Sequence, residues 1–296
     1  MNKEQQSNNI HRDYSTISPS AKSLLLMKGY TNIPFAKRAA ELISYPYNYS
    51  PYFNKKDFTF WARVAHFENR YWSIDQLLNE IPAKNILELS SGFSFRGLNA
   101  VKENNVHYID TDLSEIISIK KQIIHQLQDE NFVAKGKLET LPLNALDENQ
   151  FQETVNHFSK EKIIIVNEGL LMYLSNDEKE KLCGNIRKVL QRHGGYWITA
   201  DIYVKKEFEN NFLKIDDKLS AFFKQHNIEE NKFDSFQSAE IFFKQQGFTI
   251  DKEATPDYSK LNSVNYMLQS ATQQQLFQLK DKGKIHATWR LKLSAH

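Results

Sequence analysis

Three short apolar runs in this chain end in carboxylates or small residues, and their order limits the chemistry it can perform. The first, residues 86–89, carries Glu88 and runs into Ser90, Ser91 and Gly92 before a helix start near Arg96. A strand that empties into a small-residue turn lets backbone approach a ligand closely, which is how an open parallel α/β sheet holds a nucleotide outside the carboxyl ends of its strands. About twenty residues later a second run, 106–112, ends in Asp110 and Asp112, where a ribose hydroxyl finds its acceptor. The third, 162–166, ends in Asn167, Glu168 and Gly169. A charge that closes a buried strand is costly unless it is paired, so Glu168 reads as a binding group. Only Gly92 survives from the Gly-x-Gly-x-x-Gly fingerprint, so the turn by itself also fits an ordinary buried strand.

Cations lie upstream of these carboxylates. Arg63 and Arg70 are two helical turns apart in segment 57–78 and can share a face. An arginine fork is the side chain suited to a carboxylate, so this face can meet an anion.

The elements that must position these groups follow from caps and periodicity. Ser18-Pro19 is a helix start, with serine as N-cap, and the run Leu24-Leu25-Leu26-Met27 stops at Gly29. A second helix over 35–44 carries Lys37 and Arg38, an aromatic loop over 45–53 contains Pro46 and Pro51, and a third helix covers 57–78. Helix 95–104 follows the Gly92 turn. Beyond the second strand, Ile116, Ile119, Ile123 and Leu127 recur at core-facing helical spacing. Asp112 followed by Glu115 reads as a capping-box variant, which leaves Asp110 as the alternative acceptor for the ribose. A third strand lies within 131–141 and a fourth over 163–167, with Glu168 at its end. Ser175 and Glu178 form a capping box for a helix that stops at Gly194, and a fifth strand over 196–201 brings Asp201 and Tyr203 to the substrate side. Helices over 207–227 and 235–246 and strands over 248–252 and 286–293 complete the pattern.

Composition narrows the class. The chain has 296 residues, 41% hydrophobic and 25% charged, enough to bury a core. Its 38 basic and 36 acidic side chains give +2, no electrostatic footprint for nucleic acid. The single cysteine, Cys183, forms no disulfide framework and agrees with a reducing cytoplasm. Residues 1–17 are polar and read as a flexible tail, and no apolar run approaches the ~20 residues of a membrane span, so a soluble cytoplasmic protein is expected. Neither a His-Glu-x-x-His nor a Cys/His cluster predicts a metal site, and the phosphate-loop and Gly-x-Ser-x-Gly motifs are missing.

Read together, ILELSSGFSFRG, YIDTDLSEI and VNEGLLMYL, with the upstream SPSAKSLLLMKG, FAKRAAEL and FENRYWSIDQLL, resemble the leucine carboxyl methyltransferase family, which includes bacterial small-molecule O-methyltransferases. The resemblance implies an α/β, Rossmann-like class I methyltransferase sheet of seven strands with the last one antiparallel. It places an N-terminal helical cap over residues 18–80 and the methyltransferase core over 81–296. S-adenosyl-L-methionine is the implied cofactor. Arg70 matches the arginine that holds its amino-acid carboxylate, and Lys37 matches a cofactor-region lysine. Glu88, Ser90 and Gly92 fall at the first turn, Asp112 takes the ribose in the family register, and Glu168 lies beside the sulfonium. Where relatives carry an aspartate and a leucine for the adenine, this chain offers Lys137-Leu138. Lysine cannot accept that bond, so Glu139, the backbone or another register must serve. Arg96, Tyr173, Asp201 and Tyr203 are the candidate catalytic residues, with Arg96 or Arg63 orienting an acceptor carboxylate, or Asp201 or a helix-cap tyrosine serving as base for a hydroxyl. The implied acceptor is a hydroxyl or carboxylate of a small molecule. A protein C-terminal carboxylate and a cofactor-binding protein without turnover are the alternatives. The oligomeric state is not legible.

Overall fold

The computed structural model describes residues 18–43, 55–205, 217–281 and 283–295. Three helices precede the first strand: α1 (Ser18–Lys28), α2 (Ala36–Leu42) and α3 (Phe58–Leu78). The carboxylate of Asp57 caps α3 by accepting from the Phe60 N–H at 3.1 Å. Strands and helices then alternate as β1 (Asn85–Leu89), α4 (Arg96–Glu103), β2 (His107–Asp112), α5 (Ser114–Leu127), β3 (Lys137–Pro142), α6 (Glu148–Val155), β4 (Ile163–Asn167), α7 (Asn176–His193) and β5 (Gly195–Tyr203). After α8 (Asp217–Gln225) and α9 (Phe236–Gln245) come β6 (Phe248–Glu253), α10 (Asn262–Ser270), α11 (Gln273–Asp281) and β7 (His286–Leu293).

The seven strands run in the order β3-β2-β1-β4-β5-β7-β6. The first five in this order are parallel, while β7 is antiparallel to both β5 and β6. This is the class I methyltransferase sheet. Strand order reverses between β1 and β4, and the crevice at such a switch point is where an open α/β sheet binds its ligand.

Every residue of β1 and β4 is buried, as expected of parallel strands covered on both faces. Side chains alternate between two cores. Leu87 and Leu89 pack with Leu182, Ile186 and Val189 of α7 on one side. Ile86 packs with Ile74 and Leu77 of α3 and Val101 of α4 on the other, so Glu88 points toward the N-terminal helices. The tight approach of α4 to β2 is set by Gly97, where an added Cβ would stand 2.7 Å from the Tyr108 ring.

Several expectations need correction. β3 begins at Lys137 and runs to Pro142, so Lys137 and Leu138 open the strand instead of following it. α6, α10 and α11 were not anticipated. α10 docks on α3, where the Trp61 and Tyr266 rings stack at 4.6 Å and the Glu68 carboxylate accepts from the Ser263 backbone N–H at 3.1 Å. The expected tail over 1–17, the aromatic loop over 45–53 and the stretch 207–216 of an expected helix lie outside the described residues. Among the described residues no helix is long and apolar enough to cross a membrane.

Candidate functional site

Glu168 follows β4 directly and receives cations from three elements. Lys28 Nζ, at the end of α1, lies 2.6 Å from Oε1; Arg70 Nη2 of α3 lies 3.6 Å from the same oxygen; Arg96 Nη2 of α4 lies 3.4 Å from Oε2. All four side chains are buried. Burial pushes the Glu168 pKa up, but the three cations outweigh it and hold it down to about 2. Burial lowers the pKa of Lys28, and the adjacent carboxylate only partly restores it.

Arg96 is engaged through both of its terminal nitrogens, while its Nε makes no hydrogen bond among the described residues. Its guanidinium pairs with Asp75, donates to the Tyr71 carbonyl at 3.1 Å and lies 3.9 Å from the centre of the Tyr71 ring. It therefore positions other groups and does not orient an acceptor, which corrects its placement among the catalytic candidates. Beneath it, Glu88 is inaccessible and accepts from the Tyr108 hydroxyl at 2.7 Å, with Arg96 Nε at 3.6 Å from its other oxygen. Arg70 differs. Its Nη2 is 3.6 Å from both Glu168 and Asp201, and neither Nε nor Nη2 makes a hydrogen bond among the described residues. A buried guanidinium with unused donors is suited to an incoming carboxylate.

The β1 turn is drawn tight by its backbone. Ser90 and Gly92 adopt φ of 48° and 51°, the left-handed region that costs a residue with a Cβ about 1 kcal/mol or more. Asp112 pins this turn, its Oδ2 accepting from Gly92 N–H and its Oδ1 from Leu113 N–H, both at 2.7 Å. Leu113 is the residue at the α5 start, and Asp112 makes no bond to the helix interior, so the expected capping box is absent. Asp110 is not at the open edge. It is inaccessible and paired with Lys120 Nζ at 3.0 Å, and Lys120 also donates to Ser91 Oγ at 2.8 Å. That corrects Asp110 as the alternative ribose acceptor.

Three further expectations are displaced. Lys37 is exposed on α2, because the helix buries Ala36 and Ala39 and turns positions 37 and 38 outward. Lys28 supplies the lysine the structure brings to the site. Leu138, at the opening end of β3, lies below α4, 3.0 Å from where a Cβ on Gly97 would stand. Lys137 and Glu139 pair with each other at 2.7 Å at that same end of the sheet, so neither reaches the open edge. The segment that leaves β3 there is Leu143-Asn144.

Asp201 is consumed by the turn after β4. Its carboxylate accepts from the N–H groups of Gly169, Leu170 and Leu171 at 2.6, 2.7 and 3.1 Å and from Asn167 Nδ2 at 2.7 Å. With its oxygens filled by donors it shapes the turn, and this corrects the expectation of a base. Tyr173, in the 3₁₀ turn Leu171–Tyr173, is half-buried with its hydroxyl 3.2 Å from Ser20 Oγ. Tyr203 ends β5, its hydroxyl 2.7 Å from His66 Nε2 and its ring 5.8 Å from the Arg70 guanidinium. Lys28, His66, Asp75 and Lys120 were missed. The signal for His66 was its one-turn spacing to Arg70; that for Lys28 was a lysine ending an apolar run.

The leucine carboxyl methyltransferase family model matches residues 20–187, more than half of the chain. The chain belongs to the leucine carboxyl methyltransferase family. S-adenosylmethionine is the methyl donor of this class of enzyme (EC 2.1.1.-). No curated protein sequence matches. Among solved structures, a DUF574 family protein from Streptomyces avermitilis is similar at 13% identity and TM-score 0.50, covering 93% of this chain and 97% of that one, which supports the fold alone. Magnesium protoporphyrin IX methyltransferase from Synechocystis, with bound S-adenosylhomocysteine, is similar at 8% identity and TM-score 0.47, over 88% and 96% of the two chains. LepI in complex with S-adenosylmethionine is similar at 9% identity and TM-score 0.44, over 75% of this chain. The chain spans 46% of the length of LepI. In this family member the unused donors of Arg70, the Gly92 turn and the free lone pairs of Asp112 fit the carboxylate, backbone approach and hydroxyls of such a cofactor.

Proposed function

We propose that this chain is an S-adenosylmethionine-dependent O-methyltransferase that transfers a methyl group to a hydroxyl or carboxylate of a small molecule. The observation that carries the reading is Arg70, a buried guanidinium with unused donors, set beside Glu168 at the sheet's switch point. The cofactor, when bound, supplies a methyl group already activated on a sulfonium, so the protein needs no covalent residue. Arg70 receives the amino-acid carboxylate, the Gly92 turn lets backbone come close, and Asp112 accepts ribose hydroxyls while its other lone pairs hold the turn. Glu168, ionised throughout the neutral range, places negative charge near the sulfonium, and Tyr173 forms an aromatic wall beside it. The helices of residues 18–80 cap this edge and exclude water, which strengthens each of these electrostatic contacts.

Purified protein incubated with S-adenosylmethionine and a panel of hydroxyl- and carboxyl-bearing metabolites tests this directly. S-adenosylhomocysteine should appear in step with one methylated product. Cofactor binding with no methylated product across the panel, or methyl label found on protein instead, counts against the small-molecule reading.

A further inference from the structure

Beside the cluster that holds the cofactor stands a second group of side chains that cofactor binding does not require. His66 lies one turn before Arg70 on α3, with Nε2 2.7 Å from the Tyr203 hydroxyl. Tyr203 is paired in register with His286 across β5 and β7. The His286 ring stands 4.6 Å from that of Tyr203 and 5.3 Å from that of His66. His66 thus faces Tyr203 from β5 and His286 from β7, with Arg70 on its own helix and Glu168 and Asp201 beyond it.

The two histidines are not equivalent. The β5/β7 register slips between Thr199 and Ile202, and the Ala200 carbonyl lies 2.6 Å from His286 Nε2. A carbonyl only accepts, so this nitrogen carries the proton. Burial outweighs that bond and holds the His286 pKa down to about 4, leaving a neutral ring that is a poor base. His66 has a hydroxyl for its partner, and a hydroxyl both donates and accepts, so a proton can pass between them in either direction. Burial raises the Tyr203 pKa, so the phenol keeps its proton and conducts charge without storing it.

Of the cations nearby, the three that surround Glu168 are committed elsewhere, and Arg63, one turn before His66 on α3, is half-buried. Lys28 and Arg96 each face a carboxylate, and Arg70 lies between two and faces the cofactor in the reading above. An acceptor carboxylate would enter beside Glu168 and Asp201 with none of these three to neutralise it.

We infer that His66 is the general base of the methyl transfer, with Tyr203 as its proton bridge, and that the acceptor is a neutral hydroxyl and not a carboxylate. This rests on the methyl-transfer reading above. The acceptor oxygen forms the new bond to the methyl carbon as the carbon–sulfur bond breaks with its electron pair left on sulfur. The hydroxyl proton moves onto the Tyr203–His66 pair, giving imidazolium, and leaves to solvent.

The test uses full-length protein, methyl-labelled S-adenosylmethionine and a deproteinised small-molecule extract of the native host. Label should survive alkali and be released by hydriodic acid, as a methyl ether is. His66→Gln should lower the rate ~100-fold or more and remove the limb of the pH profile that rises with pH, with cofactor affinity unchanged by calorimetry. Independently of turnover, the ring NMR titration of His66 should move in Tyr203→Phe. Label released as methanol by alkali marks an ester and overturns the hydroxyl assignment. A wild-type rate and pH profile in His66→Gln overturn the base, and an unmoved titration in Tyr203→Phe overturns the bridge. Cofactor bound with no labelled product overturns the methyl-transfer reading itself, and the inference with it.

Discussion

Lys28 Nζ meets Glu168 Oε1 at 2.6 Å across 140 residues of sequence, so the first helix is tied to the end of the central strand by a buried ion pair. Removing one member of such a pair leaves the other charge buried and costs ~3–5 kcal/mol. Lys28→Met should lower the unfolding free energy by an amount toward the lower end of that range, because Arg70 and Arg96 still face the carboxylate. The double variant Lys28→Met/Glu168→Gln should recover part of the loss. Urea denaturation of the cycle reads this, and strictly additive losses would mean the pair is uncoupled.

The same cluster sets an acid limit. Against burial, the cations around Glu168 hold its pKa down to about 2, and Lys137, His157 and His107 do the same for Glu139. Both folded values lie below the ordinary 4.5, so each contributes stability that is fully present above that value. It is lost as pH falls from 4.5 toward about 2. The midpoint of urea unfolding should fall across that window, and Glu168→Gln should flatten the fall. A slope identical to that of the wild type would contradict the assignment.

Two glycines separate packing from binding. At Gly97 an added Cβ meets the buried Tyr108 ring, so Gly97→Ala should cost ~1–3 kcal/mol of stability. At Gly169, with φ of 82°, the added Cβ would stand 3.1 Å from Arg70 Nη2. Gly169→Ala should therefore weaken cofactor binding by more than its strain of ~1–2 kcal/mol lowers stability. Calorimetry and thermal unfolding of both variants check the contrast.

Asp201→Asn turns an acceptor into a donor facing backbone donors, and should destabilise the protein by ~1–3 kcal/mol. If Asp201 only shapes the turn, the pH profile of the remaining turnover keeps its form. Loss of a titrating limb in this variant would restore Asp201 as a base.

How far these features could be read beforehand depended on whether their cause was local. Buried parallel strands must be continuously apolar, so Ile163-Ile164-Ile165-Val166 declared itself, and a charge at its end stood out as Glu168. Lys28 did not stand out, because a lysine in the last turn of a helix complements the helix dipole and is ordinarily solvated. Only the meeting of α1 with β4 makes it a buried partner. Asp110 and Asp112 share a strand face, and what separates them is Lys120 reaching over the former from α5. Asp201 looked like an edge carboxylate because its three backbone donors come from a turn 30 to 32 residues away in sequence. α6 and α11 are short and rich in glutamine, so their hydrophobic periodicity was too weak to see.

The central claim, that the cluster around Arg70 and Glu168 binds S-adenosylmethionine, is tested most directly by calorimetric titration of the cofactor into wild-type protein, Arg70→Lys and Glu168→Gln. Circular dichroism on each sample establishes that it is folded. The structure predicts one cofactor per chain for the wild type. It also predicts affinity at least ~10-fold weaker in Arg70→Lys, a loss of about 1.4 kcal/mol, because an ammonium cannot replace the guanidinium fork. No binding to folded wild-type protein, or equal affinity in all three, would contradict it.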